Sequence, residues 1–194
     1  MYPKPFQKLI DSFVALPSIG PRMAERLVLY LFKQDEAKLE AFAEALEGLH
    51  ALHPCARCFH VAEGTLCGIC ADMKRDSHTL CVVEEPLDVI AFERLGNYRG
   101  CYLVLGGVME GTKDSAHLHI PELLARIPAE SITEVILATN PTTEGVLTAL
   151  YLKKKLEPAG ITVSRIARGL ASGGDIEYAD EITLNSALVN RKQM

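Results

Sequence analysis

The sequence predicts an α/β protein in which a parallel sheet with helices on both faces follows a helical segment and a four-cysteine module. Apolar residues recur at helical spacing near the N-terminus, four cysteines crowd into residues 55–70, and β-forming runs then alternate with helical runs. Such alternation is typical of a parallel sheet covered on both faces. The domains that we predict are residues 1–53, 54–78, 79–166 and 167–194, the last being a tail with a helix for packing or oligomerisation.

Composition narrows the classes of function. The chain has 194 residues, 48% of them hydrophobic, so it can bury a substantial core. A formal net charge of −5 provides no general attraction to nucleic acid, so any DNA contact needs a local basic patch. No apolar run reaches the length of a membrane span, and no signal core opens the chain. We therefore expect a cytoplasmic protein without membrane contacts.

Four cysteines form two CxxC pairs, Cys55 with Cys58 and Cys67 with Cys70. Each pair can point two thiolates at one centre, and two pairs complete the tetrahedron that Zn²⁺ prefers. A closed four-thiolate shell leaves no position for water, which predicts one structural zinc ion per chain and no metal catalysis. Two disulfides or a redox-active pair are the alternatives, which a reducing cytoplasm disfavours.

The other residues of this region have structural interpretations. Cys81 and Cys101 lie inside apolar runs, and we expect both to be small buried residues. Residues 59–66, with Gly64 at the turn, predict a short β-hairpin between the cysteine pairs. His60 is a metal ligand by type, but with four thiolates available we expect it at the surface.

Two helices and a tight turn open the chain. Apolar spacing predicts helices over residues 5–15 and from Pro21 to Phe32, with a third over 35–52. In the turn between the first two, Gly20 allows a positive φ and Pro21 suits the first position of a helix. The arrangement resembles the helix-hairpin-helix motif of DNA-binding proteins.

That resemblance implies a contact between the hairpin and a DNA phosphate. The backbone N–H groups around Gly20 and the N-terminus of the second helix would face the phosphate, and Arg22 and Arg26 would add positive charge. Such a contact positions DNA without reading its sequence. Ser18 stands where the motif usually has glycine. The alternative is an ordinary αα-hairpin with solvated arginines.

The second half of the chain alternates strands and helices. We predict strands over residues 79–83, 101–105, 134–138 and 161–166, and helices over 87–95, 120–127, 146–156 and 182–188. Ligand sites in parallel sheets lie beyond the carboxyl ends of the strands. This places Glu84, the 106–119 loop and the segment Asn140–Glu144 around one crevice.

A strand that ends in Glu84, together with a turn after another strand, resembles the Toprim domain of topoisomerases and primases. In active Toprim enzymes an Asp-x-Asp pair joins the glutamate to hold Mg²⁺. Here the turn reads Asn140-Pro141-Thr142, so the oxygen cage for Mg²⁺ is reduced to Glu84 and neutral acceptors, with Glu144 displaced along the chain. We predict a Toprim scaffold without Toprim catalysis. The alternative for Glu84 is a solvated residue at a strand end.

The order of these parts resembles the RecR family of bacterial recombination mediators over essentially the whole chain. The most specific phrases are EVILATNPTTEG at 134–145 and GGDIEYADEITL at 173–184. The resemblance implies a non-enzymatic, nucleoid-associated protein of DNA recombination and the repair of DNA damage. Such proteins form a ring-shaped homotetramer and act with RecO, and in some lineages RecF, to load RecA onto single strands coated with single-strand-binding protein at gaps.

The resemblance also implies roles for individual residues. Basic residues of the hairpin contact DNA, and acidic Toprim positions, here Glu144 at the crevice, dock a partner. Two departures lie at the crevice rim: residues 110–114 replace the usual Pro-Leu-Asp-Gly, and Val146 replaces an acid. A Mg²⁺-dependent Toprim nuclease or topoisomerase-like enzyme is the second hypothesis. A nucleotide-binding protein is the third; it rests only on Gly173-Gly174, which no GK[ST] follows.

Overall fold

A computed structural model describes residues 2–109, 111, 115–170 and 172–191. The chain forms two compact units, Met1–Leu52 and His53–Met194. The first unit is helical, and the second holds the cysteine module, the sheet and the tail. The finer division into four domains stays a prediction.

The first unit is built on two helices that pack against each other. It contains α1 (Lys4–Val14), α2 (Pro21–Phe32) and α3 (Glu36–Glu47), followed by a 3₁₀ turn over Gly48–Ala51. Ile10 of α1 meets Ala24 and Val28 of α2 in a small buried cluster. The predicted third helix is therefore shorter than expected and ends as a 3₁₀ turn.

The turn between α1 and α2 differs from the prediction in one respect. Gly20 has φ −85° and ψ 166°, an extended conformation that any residue can adopt, whereas Ser18 has φ 65°. A positive φ at a residue with a Cβ costs roughly 1–2 kcal/mol. The position that favours glycine is thus Ser18, where the motif usually has glycine, and the prediction of a positive φ at Gly20 is wrong.

The cysteine module opens the second unit. Strand β1 (His53–Pro54) pairs antiparallel with β2 (Val61–Ala62), and helix α4 (Gly68–Ala71) follows. The predicted hairpin within 59–66 is therefore wrong, because the partner of β2 lies before the first cysteine pair. The two strands instead flank that pair from both sides.

The main sheet has four parallel strands in the order β4-β3-β5-β6. The strands are β3 (Asp76–Val83), β4 (Gly100–Val104), β5 (Glu134–Ala138) and β6 (Thr162–Arg165). The three helices that connect them are α5 (Pro86–Leu95), α6 (Ile120–Ala129) and α7 (Thr143–Leu156). Strand β3, the first of these four in the chain, lies inside the sheet, so its carboxyl end has a strand on each side.

Both faces of the sheet are covered, as predicted. Leu80 and Val82 of β3 belong to the larger core cluster, with residues of α6 and α7. Cys81 and Val83, which point the other way, pack with Val89 of α5. Cys81 and Cys101 are both buried, which confirms the prediction for them.

The tail ends in a helix. A 3₁₀ turn over Ile176–Tyr178 leads to α8 (Glu181–Val189), which is capped by the Asp180 side chain accepting from the N–H of Thr183. The predicted C-terminal helix is therefore present. Among the described residues, no helix combines the length and apolar character needed to cross a membrane.

Candidate metal centre and nucleic-acid interface

The four predicted zinc ligands meet at one point. The sulfur atoms of Cys55, Cys58, Cys67 and Cys70 all lie within 4.8 Å of one another, and all four residues are buried. Tetrahedral zinc with Zn–S bonds of about 2.3 Å needs sulfur atoms about 3.8 Å apart. The Cys58 and Cys67 sulfurs are 3.5 Å apart. The cluster therefore fits one structural zinc ion. The bound ion would stabilise the cysteine module and would have no open position for a substrate.

Local backbone turns place these sulfurs. In the first pair, the N–H of Phe59 donates to the carbonyl of Cys55 at 2.9 Å, which closes the turn around Cys58. In the second pair, Cys67 precedes α4 and Cys70 lies inside it. The N–H of Cys67 donates to the Cys55 sulfur at 3.3 Å, so a backbone dipole supports negative charge on that sulfur.

The thiols of the cluster shift one another's pKa values. A hydrogen bond with Cys70 lowers the pKa of the Cys58 thiol, and the same interaction raises the pKa of Cys70. Burial raises the pKa of Cys67 to about 11. Four thiolates therefore need a cation to offset their charge, which is the role of zinc. His60 is only partly buried and does not belong to the cluster among the described residues.

The cysteine module is fastened to the edge of the main sheet. The N–H of Val104 in β4 donates to the carbonyl of Cys58 at 2.8 Å, so the module pairs with an edge strand. The ring of Phe59 stacks on His119, with centroids 3.6 Å apart and planes at 7°. This contact lets a residue of the first cysteine turn join the core of the sheet.

An ionic network strengthens the same junction. Arg57 of the module and Arg126 of α6 each make two hydrogen bonds of 2.9–3.0 Å to the Glu130 carboxylate. Arg126 also donates to the carbonyls of Arg57 and Tyr102. Burial alone would raise the pKa of Glu130, but the two arginines outweigh it and lower that pKa. Sequence reasoning missed this network, because only the i,i+4 spacing of Arg126 and Glu130 was a local signal.

The hairpin residues line a groove on the first unit. Gly20, Arg22 and Arg26, with Pro21 and Met23, surround a volume of about 630 Å³. Both arginines are exposed, and neither makes an ion pair with a described residue. No described side chain caps the N-terminus of α2, and Gly20 is its N-cap residue. A helix N-terminus flanked by two exposed arginines is suited to an anion.

The crevice residues lie at the carboxyl ends of the central strands. Glu84 is only 7% exposed, so the alternative of a solvated strand-end residue is wrong. Its carboxylate accepts from the backbone N–H of Asn140 at 2.7 Å and from the Asn140 side-chain amide at 2.5 Å. Glu84 and Asn140 are therefore in direct contact, although 56 positions separate them in the chain.

Thr142 and Glu144 belong to the same turn but do different things. The Thr142 hydroxyl accepts from the N–H of Gly145 at 3.0 Å and caps α7. Glu144 is exposed in the first turn of that helix. A Cβ on Gly145 would collide with the Asn140 carbonyl and the Glu84 carboxylate, so only glycine fits there. Residues 110 and 112–114, where the loop departs from the usual pattern, lie outside the described residues.

The crevice does not fit Mg²⁺. That ion needs an octahedron of oxygen ligands, with carboxylates among them. Here both oxygens of the one buried carboxylate, Glu84, accept hydrogen bonds from Asn140, whose amide nitrogen cannot bind a cation. Hydrogen bonds between Glu84 and Asn140 thus join the two strand ends at the place where an active Toprim enzyme would hold its metal ion.

A four-sulfur metal centre, a helix-hairpin-helix unit and a Toprim-type sheet together define a zinc-containing DNA-binding protein. Four family models match the chain in the same order. They are the RecR helix-hairpin-helix at residues 6–50, the RecR four-cysteine zinc finger domain at 52–72, the Toprim domain at 78–167 and the RecR C-terminal region at 169–192. The chain belongs to the RecR family and is a DNA-binding protein of recombinational repair, with one structural zinc ion.

Proposed function

We propose that this protein is a non-enzymatic recombination mediator that binds DNA through Arg22, Arg26 and the backbone around Gly20. The binding is independent of sequence and directed to gaps or junctions between single and double strands. The protein acts in the cytoplasm, at the nucleoid, as a homotetrameric ring. With RecO, and in some lineages RecF, it loads RecA onto single strands coated with single-strand-binding protein.

One observation supports a mediator over a Toprim enzyme. The Glu84 carboxylate, which in an active Toprim enzyme would help hold Mg²⁺, is occupied by two hydrogen bonds from Asn140. A Mg²⁺-dependent nuclease or topoisomerase needs several anionic oxygens around the ion, and this turn supplies amides and a hydroxyl instead. The donor set therefore favours a Toprim scaffold without metal-dependent catalysis.

A cleavage assay tests the proposal. Purified protein is incubated with end-labelled gapped DNA and with supercoiled plasmid, with Mg²⁺ and with EDTA. We expect no cleavage and no change of linking number in either condition. Turnover that requires Mg²⁺ and is lost in a Glu84→Gln variant would establish the enzyme in place of the mediator.

We propose that a partner docks at the exposed start of α7. Glu144 is exposed there, and Leu147 and Leu150 on the same helix are 42% and 58% exposed. Exposed apolar side chains rimmed by polar residues mark protein contacts, and Glu144 would lie at such a polar rim. We expect Glu144→Ala to weaken binding of purified RecO while DNA binding is unchanged. A matched Glu157→Ala variant, at the far end of α7, should bind RecO like the wild type.

A further inference from the structure

A second cationic site lies at the end of strand β6. A cavity of about 270 Å³ opens there, lined by Arg165 and Arg168 and by Thr139, Pro141 and Thr183. Because Arg165 ends β6 and Thr139 follows β5, the cavity lies beyond the carboxyl ends of the strands, where parallel sheets bind ligands. The hairpin arginines belong to the other unit of the chain.

Within the described residues, the two arginines form no ion pair, and both are partly buried. The Nη2 atom of Arg168 is buried and has no hydrogen-bond acceptor among the described residues. A buried donor without an acceptor costs about 1–3 kcal/mol, more when it is charged. The Arg168 guanidinium therefore keeps a donor that a bound anion could satisfy.

The electrostatics of the cavity also favour an anion. Burial lowers the pKa of Arg165, and the positive charge of Arg168 lowers it further. Glu84 offsets part of this effect, but its oxygens already accept from Asn140. Two like charges are therefore held together where solvent screens them incompletely, and an anion between them would relieve the repulsion.

We propose that Arg165 and Arg168 bind a phosphate monoester in this cavity. Guanidinium groups match phosphate oxygens in forked pairs. A monoester carries a charge of about −1.5 to −2 at pH 7, which balances two arginines, whereas a carboxylate or a phosphodiester balances only one. The volume lies just below the range of about 300–1,000 Å³ typical of pockets for whole small molecules, so it suits a terminal phosphate with little more. The source is either a 5′-phosphorylated DNA end or a free nucleotide.

Inorganic phosphate is the first probe. At constant ionic strength it should raise the melting temperature of the wild type in a saturable manner, because a ligand of the folded state stabilises it. The same increase is expected in Arg94→Gln, which removes an exposed arginine on α5. In an Arg22→Ala/Arg26→Ala background, which removes the hairpin cations, it should persist without a further change and be absent in Arg165→Gln and Arg168→Gln. Neither variant should melt earlier than the wild type without phosphate, because each loses one of two repelling charges.

The source of the phosphate is tested in an Arg22→Ala/Arg26→Ala background, so that failure of the hairpin proposal does not affect the result. Oligonucleotides of one sequence with a 5′-phosphate or a 5′-hydroxyl compete for the site. A preference of about tenfold for the phosphate, lost in Arg168→Gln, identifies a DNA end. Competition by a mononucleotide alone identifies a free nucleotide. The proposal is overturned if phosphate has no saturable effect on the wild type, or the same effect on both glutamine variants.

Discussion

The contact between Glu84 and Asn140 makes a quantitative prediction for Asn140→Asp. The substitution keeps the shape of the side chain but replaces an amide donor, 2.5 Å from the Glu84 carboxylate, with a second carboxylate. Losing a hydrogen bond to a charged group costs about 1.5–3 kcal/mol. Repulsion between the two carboxylates adds a further cost. Two charges 4 Å apart at an effective dielectric constant of 20 repel by roughly 4 kcal/mol, and the cost here is smaller because Asn140 is exposed. We expect a loss of about 2–4 kcal/mol in the free energy of unfolding at pH 7.

The loss should depend on pH with a definite sign. The Glu84 carboxylate disfavours a second negative charge, so the pKa of the introduced aspartate is raised in the folded state above its value in the unfolded chain, about 3.9. A group of this kind destabilises the fold at neutral pH, and the deficit shrinks as the pH falls through the raised pKa, where the protonated acid can donate to Glu84. Urea unfolding at pH 7 and at pH 5 measures the loss of stability of the variant at each pH.

The control for this prediction is Glu84→Gln combined with Asn140→Asp. The double variant restores a donor and an acceptor with one negative charge, so it should recover most of the stability that Asn140→Asp loses. An unfolding midpoint for Asn140→Asp equal to that of the wild type at pH 7, or a deficit that the second substitution fails to reduce, would refute the reasoning.

Three further predictions concern the other contacts. Replacing both Arg22 and Arg26 by alanine should weaken DNA binding equally for all sequences and reduce the salt slope by up to about 1.8, from about 0.9 per phosphate contact, in fluorescence titrations; unchanged affinity would favour the solvated αα-hairpin. Elemental analysis should find one zinc ion per chain. The variants Cys55→Ser and Cys70→Ser should lack the zinc ion, and their cysteine module should unfold before DNA binding is lost. A full zinc content and a wild-type melting curve in these variants would contradict this. Glu130→Gln should lower the free energy of unfolding of the second unit by about 1–3 kcal/mol. Because the pKa of Glu130 is lowered in the folded state, its carboxylate adds stability above the unfolded-state pKa and loses it on acidification, so the variant should unfold with a weaker dependence on acid pH. An unchanged pH profile would show that the network contributes nothing.

Local patterns predicted most of the elements. Apolar spacing located α1 and α2, and runs of β-formers located the four strands of the sheet to within a few residues. The errors were turns: the positive φ fell on Ser18 instead of Gly20, and β2 paired with β1 instead of forming a hairpin after the first cysteine pair. Turn conformation depends on how the flanking elements pack, which residue type alone does not determine.

The sequence by itself determined the zinc centre and the class of protein. CxxC spacing acts over a few residues, so the chain near Cys55 and Cys67 brings two sulfurs together whatever the remainder does. Only the tertiary structure decided what the other charged residues contact. Arg57 meets Glu130 from 73 positions away, and Glu84 is buried against Asn140. Arg165 and Arg168 line one cavity and form no ion pair with a described residue. These arrangements follow from strand order and from the docking of the module on β4, because packing brings together residues that no local pattern relates.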